Sequence, residues 1–215
     1  MTSSTTSTDD PSRSPAKKSN LPTLITVFRI VMGPAIAGLV LWAASVTYAD
    51  PYLAGFIYTL ALALFILAAA SDFLDGYLAR KLDAVTPLGA ALDHSADKVL
   101  ITCVLVALAY AALPFMLVVA AVLILGRDVA VAGLREGLSA QGRAMPVGQL
   151  GKWKAAAEMA GVGAFLTFQT LALLRITPPS VVLGLDWAAR ALLWAAAGLA
   201  LISAAQYVAA LLKKP

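Results

Sequence analysis

Four aspartates carry the chemistry this chain can do: Asp72 and Asp75, three positions apart, and Asp93 and Asp97, four apart. On helices each spacing puts both carboxylates on one face. A turn between two such helices folds them into an antiparallel pair, which can bring all four acids together. Ionised carboxylates at close range repel, and burying one without a partner is costly. Divalent cations remove both penalties. Carboxylate oxygens are hard ligands suited to Mg²⁺ or Mn²⁺, and no cysteine or histidine cluster points to zinc. A pair of such ions can clamp the attacking and leaving oxygens of a phosphoryl displacement.

Small residues stand among these acids. Gly76 and Ala79 lie on the helical side of Asp72 and Asp75, which leaves room for a flat ligand near the backbone, and Gly89 opens the facing helix similarly. Arg80 follows closely, with a guanidinium fork that fits phosphate oxygens. Singly, each feature has a plainer reading, since glycines in membrane helices serve packing and interfacial aspartates cap helices or face solvent. Together they form a candidate phosphate-handling site.

The elements that must hold this site are membrane helices. Of 215 residues, 60% are hydrophobic and 13% charged, where a soluble domain carries about 25% charged residues. The mean hydropathy is +0.84, and the apolar stretches approach the roughly 20 residues that cross a bilayer core. Six helices are expected, over 23–45, 52–82, 87–111, 114–139, 150–175 and 184–212. The breaks fall at Asp50-Pro51, Thr86-Pro87, Leu113-Pro114, 142–151 and Pro178-Pro179. Thr86 reads as an N-cap with proline at the first helical position.

Residues 1–19 lack large apolar residues after Met1 and read as a disordered cytoplasmic tail. With no apolar h-region, they are not expected to be a signal peptide. Residues 20–215 form the single helical domain. Lys17, Lys18, Lys213 and Lys214 at the ends, and Arg80, Lys81, Arg135, Arg143 and Lys152 near the even-numbered connections, place both termini in the cytoplasm by the positive-inside rule. Arg175 and Arg190 are the exceptions. The net charge of +4 is spread over helix ends, so no nucleic-acid partner is indicated. Cys103 reads as packing.

Residues 72–97 fit Asp-x2-Asp-Gly-x2-Ala-Arg-x8-Gly-x3-Asp-x3-Asp at all eight defined positions: Asp72, Asp75, Gly76, Ala79, Arg80, Gly89, Asp93 and Asp97. This pattern resembles the signature of the CDP-alcohol phosphotransferases, whose all-α integral membrane fold has six transmembrane helices. The resemblance implies metal ligation by Asp72, Asp75 and Asp93, holding two Mg²⁺ (or Mn²⁺) ions, with Asp97 also at the metals and acting as general base. It further implies CDP contacts from Asp72, Gly76, Ala79, Arg80 and Gly89. The implied reaction is direct displacement of CMP from a CDP-lipid by an alcohol. The family also commonly forms homodimers, which the small-residue-rich helices permit.

Two further stretches resemble the bacterial phosphatidylglycerophosphate synthases, so the likeness covers residues 20–160. One runs from Asn20-Leu21-Pro22 to Arg29 and Pro34; the other holds Gly126-Arg127-Asp128, Gly133-Leu134-Arg135-Glu136 and Gly151-Lys152-Trp153-Lys154. The resemblance implies CDP-diacylglycerol and sn-glycerol 3-phosphate as substrates, membrane lipids as surroundings, and a bacterial inner membrane with the site on its cytoplasmic side. Arg127 lies inside an apolar helix, where Asp128, Glu136 or an anionic ligand can neutralise it. Arg127 and Arg135, two turns apart on one side, can join Lys152 and Lys154 in an acceptor-phosphate pocket; positive-inside topology is the other reading of these cations. Asp128 departs from the glutamate common there, and Ala155 and Glu158 replace the usual threonine and glutamine. His94 is read as a pocket-edge or solvated group. The alternatives are a cardiolipin, phosphatidylinositol-phosphate or phosphatidylserine synthase, or an ion-coupled transporter.

Overall fold

The computed structural model describes residues 21–81, 87–140 and 149–212, with side chains over 26–71, 95–140 and 149–209. The expected tail at 1–19 and the Thr86 cap lie outside the described residues. Six α-helices follow one another: α1 (Leu21–Val46), α2 (Pro51–Lys81), α3 (Pro87–Ala111), α4 (Phe115–Ala140), α5 (Gln149–Leu174) and α6 (Pro179–Leu212). No strand occurs among the described residues. Five of these helices, all but α3, contain a described stretch long and apolar enough to cross a membrane. The chain is a multi-pass membrane protein.

The helix ends follow from local chemistry. Asp50 caps α2 by accepting the Leu53 amide at 3.0 Å on Oδ1, and Pro51 takes the first helical position, where an N–H is not needed. Before α4, the Pro114 carbonyl accepts the Leu117 amide at 2.8 Å. Arg175 closes α5 in the left-handed region, with φ of 53°. Helix α6 then opens at Pro179, five positions ahead of the expected 184. The correction has a simple cause: a proline at the first position starts a helix as readily as it ends one.

The helices pack as a closed ring in the order α1, α2, α5, α6, α4, α3, and contact is sparse at the α3–α4 seam. The described parts of α2 and α3 meet chiefly through α1. Inward residues recur three or four positions apart: Ile36, Val40 and Ala43 on α1; Tyr58, Ala61 and Phe65 on α2; Leu100, Val104 and Leu108 on α3. They join Leu117 and Ile124 of α4, Val162 and Phe165 of α5, and Leu193 and Ala196 of α6. The outer face stays apolar, with Phe56, Ile66, Val122 and Trp187 exposed, as suits a lipid solvent.

Glycine allows a close approach of α1 to α3. A Cβ on Gly33 would stand 3.1 Å from the Leu100 Cα and 3.2 Å from the Val99 carbonyl oxygen. Helices α1 and α3 therefore touch almost backbone to backbone, in the small-residue mode of membrane helix packing.

Candidate active site

One turn before Gly33 on α1 lies Arg29, and one turn before Leu100 on α3 lies Asp97. The close contact of the two backbones aligns these side chains. Arg29 donates through Nη1 to Asp97 Oδ1 in an ion pair, with its own side chain 0% exposed and that of Asp97 34% exposed. The cation is thus sealed into the helix contact and the carboxylate stands at its rim. A buried arginine needs such a partner, and its rigid planar fork holds a carboxylate in a defined orientation.

Asp72, Asp75, Gly76, Ala79 and Arg80 belong to the last turns of α2, and Gly89, Asp93 and His94 to the first turns of α3. Their side chains lie outside the described residues. The two groups stand at the end of one helix and the start of the next, on either side of 82–86.

A second polar cluster ties α4, α5 and α6. Asp128 accepts Lys154 Nζ on Oδ2 at 2.6 Å and Arg127 Nη1 on Oδ1 at 3.1 Å. Lys154 also meets Glu158 Oε2 at 2.8 Å, with 5% and 4% of the two side chains exposed. Arg127 donates to Ser203 Oγ from Nε at 3.2 Å and from Nη2 at 2.8 Å. Its guanidinium also lies over the Tyr207 ring, 5.8 Å from the centroid. Two cations meet two carboxylates, so the cluster carries no net charge. Neutral pairing is what makes buried charge tolerable in this setting.

The α3–α4 seam opens into a cavity of about 520 Å³ lined by Ser95 and Lys98 of α3 and by Ala132, Arg135, Glu136, Ser139 and Ala140 of α4. Lys98 stands in the field of Asp128, Arg135, Arg127 and Lys154.

The four cations expected at the acceptor thus separate. Arg127 and Lys154 share Asp128 in the buried cluster, Arg135 lines the seam cavity, and Lys152 is exposed beside Trp153. Sequence reasoning overlooked Lys98, although it ends the acidic segment, and overlooked Arg29 as the partner of Asp97. The available signal was a single charge early in an apolar helix. Glu158 was noted only as a departure, and its role as a lysine partner follows from the one-turn spacing to Lys154.

Ion-paired groups inside a ring of apolar helices define a membrane protein built to hold charge near one end of the bundle. A sequence profile of the CDP-alcohol phosphatidyltransferases matches residues 19–205, and the chain belongs to that family. It is 37% identical, over 89% of each chain, to a CDP-diacylglycerol–glycerol-3-phosphate 3-phosphatidyltransferase of Pseudomonas fluorescens. The protein of that name in Rickettsia bellii is 34% identical over 87% of this chain and 93% of its own. A cardiolipin synthase (CMP-forming) of Oryza sativa subsp. japonica is also 34% identical, over 69% of this chain and 46% of that one.

Proposed function

We propose that the protein transfers a phosphatidyl group from CDP-diacylglycerol to sn-glycerol 3-phosphate, releasing CMP and phosphatidylglycerol phosphate. The observation that carries this reading is similarity along nearly the whole chain to proteins named for that reaction, together with an intact eight-position signature.

The donor set fits a divalent metal. Asp72, Asp75, Asp93 and Asp97 supply only hard carboxylate oxygens, which suit two Mg²⁺ or Mn²⁺ ions. When bound, such ions would offset the charge of the pyrophosphate and of the carboxylates themselves. Asp97 takes the proton of the acceptor hydroxyl. The hydroxyl oxygen then bonds to the lipid-side phosphorus of the pyrophosphate as the bond to the CMP oxygen breaks, and CMP leaves with that electron pair. Arg29 keeps the Asp97 carboxylate turned toward the substrate. Asp72, Gly76, Ala79, Arg80 and Gly89 form the CDP cradle, and Arg135 belongs to the acceptor pocket.

The same reading gives residues 20–215 as one domain with six spans, α3 being the sixth, and residues 1–19 as a tail. Both termini and the site face the cytoplasm of a bacterial inner membrane, and the working form is a homodimer. Basic residues at the even-numbered connections support that orientation.

The test is CMP release by the purified chain given CDP-diacylglycerol, sn-glycerol 3-phosphate and Mg²⁺. Activity that requires glycerol 3-phosphate and disappears in Asp97→Asn supports the reaction and its base. Turnover with phosphatidylglycerol or inositol phosphate instead, and none with glycerol 3-phosphate, overturns the acceptor.

A further inference from the structure

We infer that Lys98 binds the phosphate of the acceptor, working with Arg135 across the α3–α4 seam, while Lys154 serves the fold. The inference deepens the function proposed above and rests on it.

The first support is the division of charge among the cations. Lys154 lies between Asp128 Oδ2 at 2.6 Å and Glu158 Oε2 at 2.8 Å. A phosphate reaching it would have to displace a carboxylate inside the bundle. Arg127 is similarly engaged by Asp128 and Ser203. Lys98 forms no ion pair with any described residue, and its side chain lines an open cavity with Arg135.

The second support is position. Ser95 and Lys98 are one turn apart on α3 and share a face, with Asp97 next to Lys98 in the chain and turned about 100° away around the helix axis. A short phosphorylated alcohol held by its phosphate at Lys98 can therefore extend its hydroxyl around α3 toward Asp97. From α4 come Arg135, Glu136 and Ser139, and the cavity of about 520 Å³ admits a small polyol phosphate. Among the described lining residues, Lys98 and Arg135 supply two cations and Glu136 one carboxylate. Glu136 can accept a hydrogen bond from a free hydroxyl, which suits a phosphorylated polyol better than bare phosphate.

The sparse contact between α3 and α4 explains why the cavity exists. The charged groups of the α1–α3 and α4–α6 contacts are paired across their helices, whereas the α3–α4 seam opens around polar side chains. It also lies at the bundle end shared by the last turns of α2 and the first turns of α3, where the aspartate signature stands.

The experiment measures CMP release at varied glycerol 3-phosphate and varied CDP-diacylglycerol for wild type, Lys98→Met and Lys98→Arg. Lys98→Met is expected to raise KM for glycerol 3-phosphate about 10- to 100-fold, the loss of one charged hydrogen bond. Its KM for CDP-diacylglycerol should stay within about twofold, because uniform binding of only one substrate is removed. Lys98→Arg should recover most of the loss. An unchanged KM for glycerol 3-phosphate in Lys98→Met, or a fall in kcat alone, overturns the phosphate role. Equal rises in both KM values assign Lys98 to the general shape of the site and also overturn it. A wild type silent with glycerol 3-phosphate but active on an alcohol without phosphate overturns the function proposed above, and this inference falls with it.

Discussion

Arg29 and Asp97 stand 68 positions apart and form an ion pair across the close contact of α1 with α3. The arginine is fully buried and the aspartate one-third exposed, so the pair has a fixed side and a working side. The base role proposed for Asp97 gives such a mount a purpose, because misplacement of a reacting group by about 1 Å can slow a reaction 10²-fold.

Removing the mount should therefore slow catalysis more than binding. Arg29→Met is expected to lower kcat by about 10²-fold with both KM values little changed, and Arg29→Lys to restore only part, since an ammonium lacks the planar fork. Steady-state kinetics on folded protein decides this, and a change in KM alone would assign Arg29 to substrate binding.

The helix contact itself can be tested at Gly33. Gly33→Ala puts a methyl group 3.1 Å from the Leu100 backbone, which must separate α1 from α3 and cost about 1–3 kcal/mol of stability. Activity should fall as Arg29 shifts from Asp97. Gly38→Ala meets nothing within 4 Å and should be neutral or slightly stabilising, by up to about 1 kcal/mol from helix propensity. Thermal unfolding in detergent compares the two variants.

The buried cluster of α4, α5 and α6 gives a stability prediction. Lys154→Met leaves Asp128 and Glu158 facing each other's charge without an ammonium between them, at a cost of about 3–5 kcal/mol. Adding Glu158→Met should return part of that, because an apolar pair of similar volume replaces buried charge. Glu158→Gln keeps an oxygen toward Lys154 but leaves two cations against Asp128 alone, and should cost about 1–3 kcal/mol, less than Lys154→Met. Unfolding midpoints of the three variants provide the comparison.

The donor set makes a metal prediction. Chelation by EDTA should abolish CMP release, and Mg²⁺ or Mn²⁺ should restore it. Asp72→Asn, Asp75→Asn and Asp93→Asn should each lower kcat by about 10²-fold or more. Full activity in EDTA-treated protein would refute the metal site.

Much of this protein is written along the chain. Helices that must satisfy their own backbone in lipid are legible as apolar runs between prolines, and five of the six starts came within two positions of expectation. The sixth, α6, differed because Pro178-Pro179 was taken only as a stop. The family was legible for a related reason: its signature is a set of fixed residue types at fixed spacings within one stretch of residues 72–97.

Sequence by itself determined the helix number and the lipid-facing composition, because periodicity and residue type are local properties. Only the tertiary structure decided which charges meet. Arg127 and Arg135 look alike in sequence, two turns apart on one helix, yet Arg127 meets Asp128 and Ser203 beside α6 while Arg135 lines the α3–α4 seam. Likewise, Arg29 acquires its place at Asp97 only because Gly33 lets α1 lie against α3. Pairing of buried charges depends on how helices distant in sequence close into a ring, and no spacing along one helix encodes that closure.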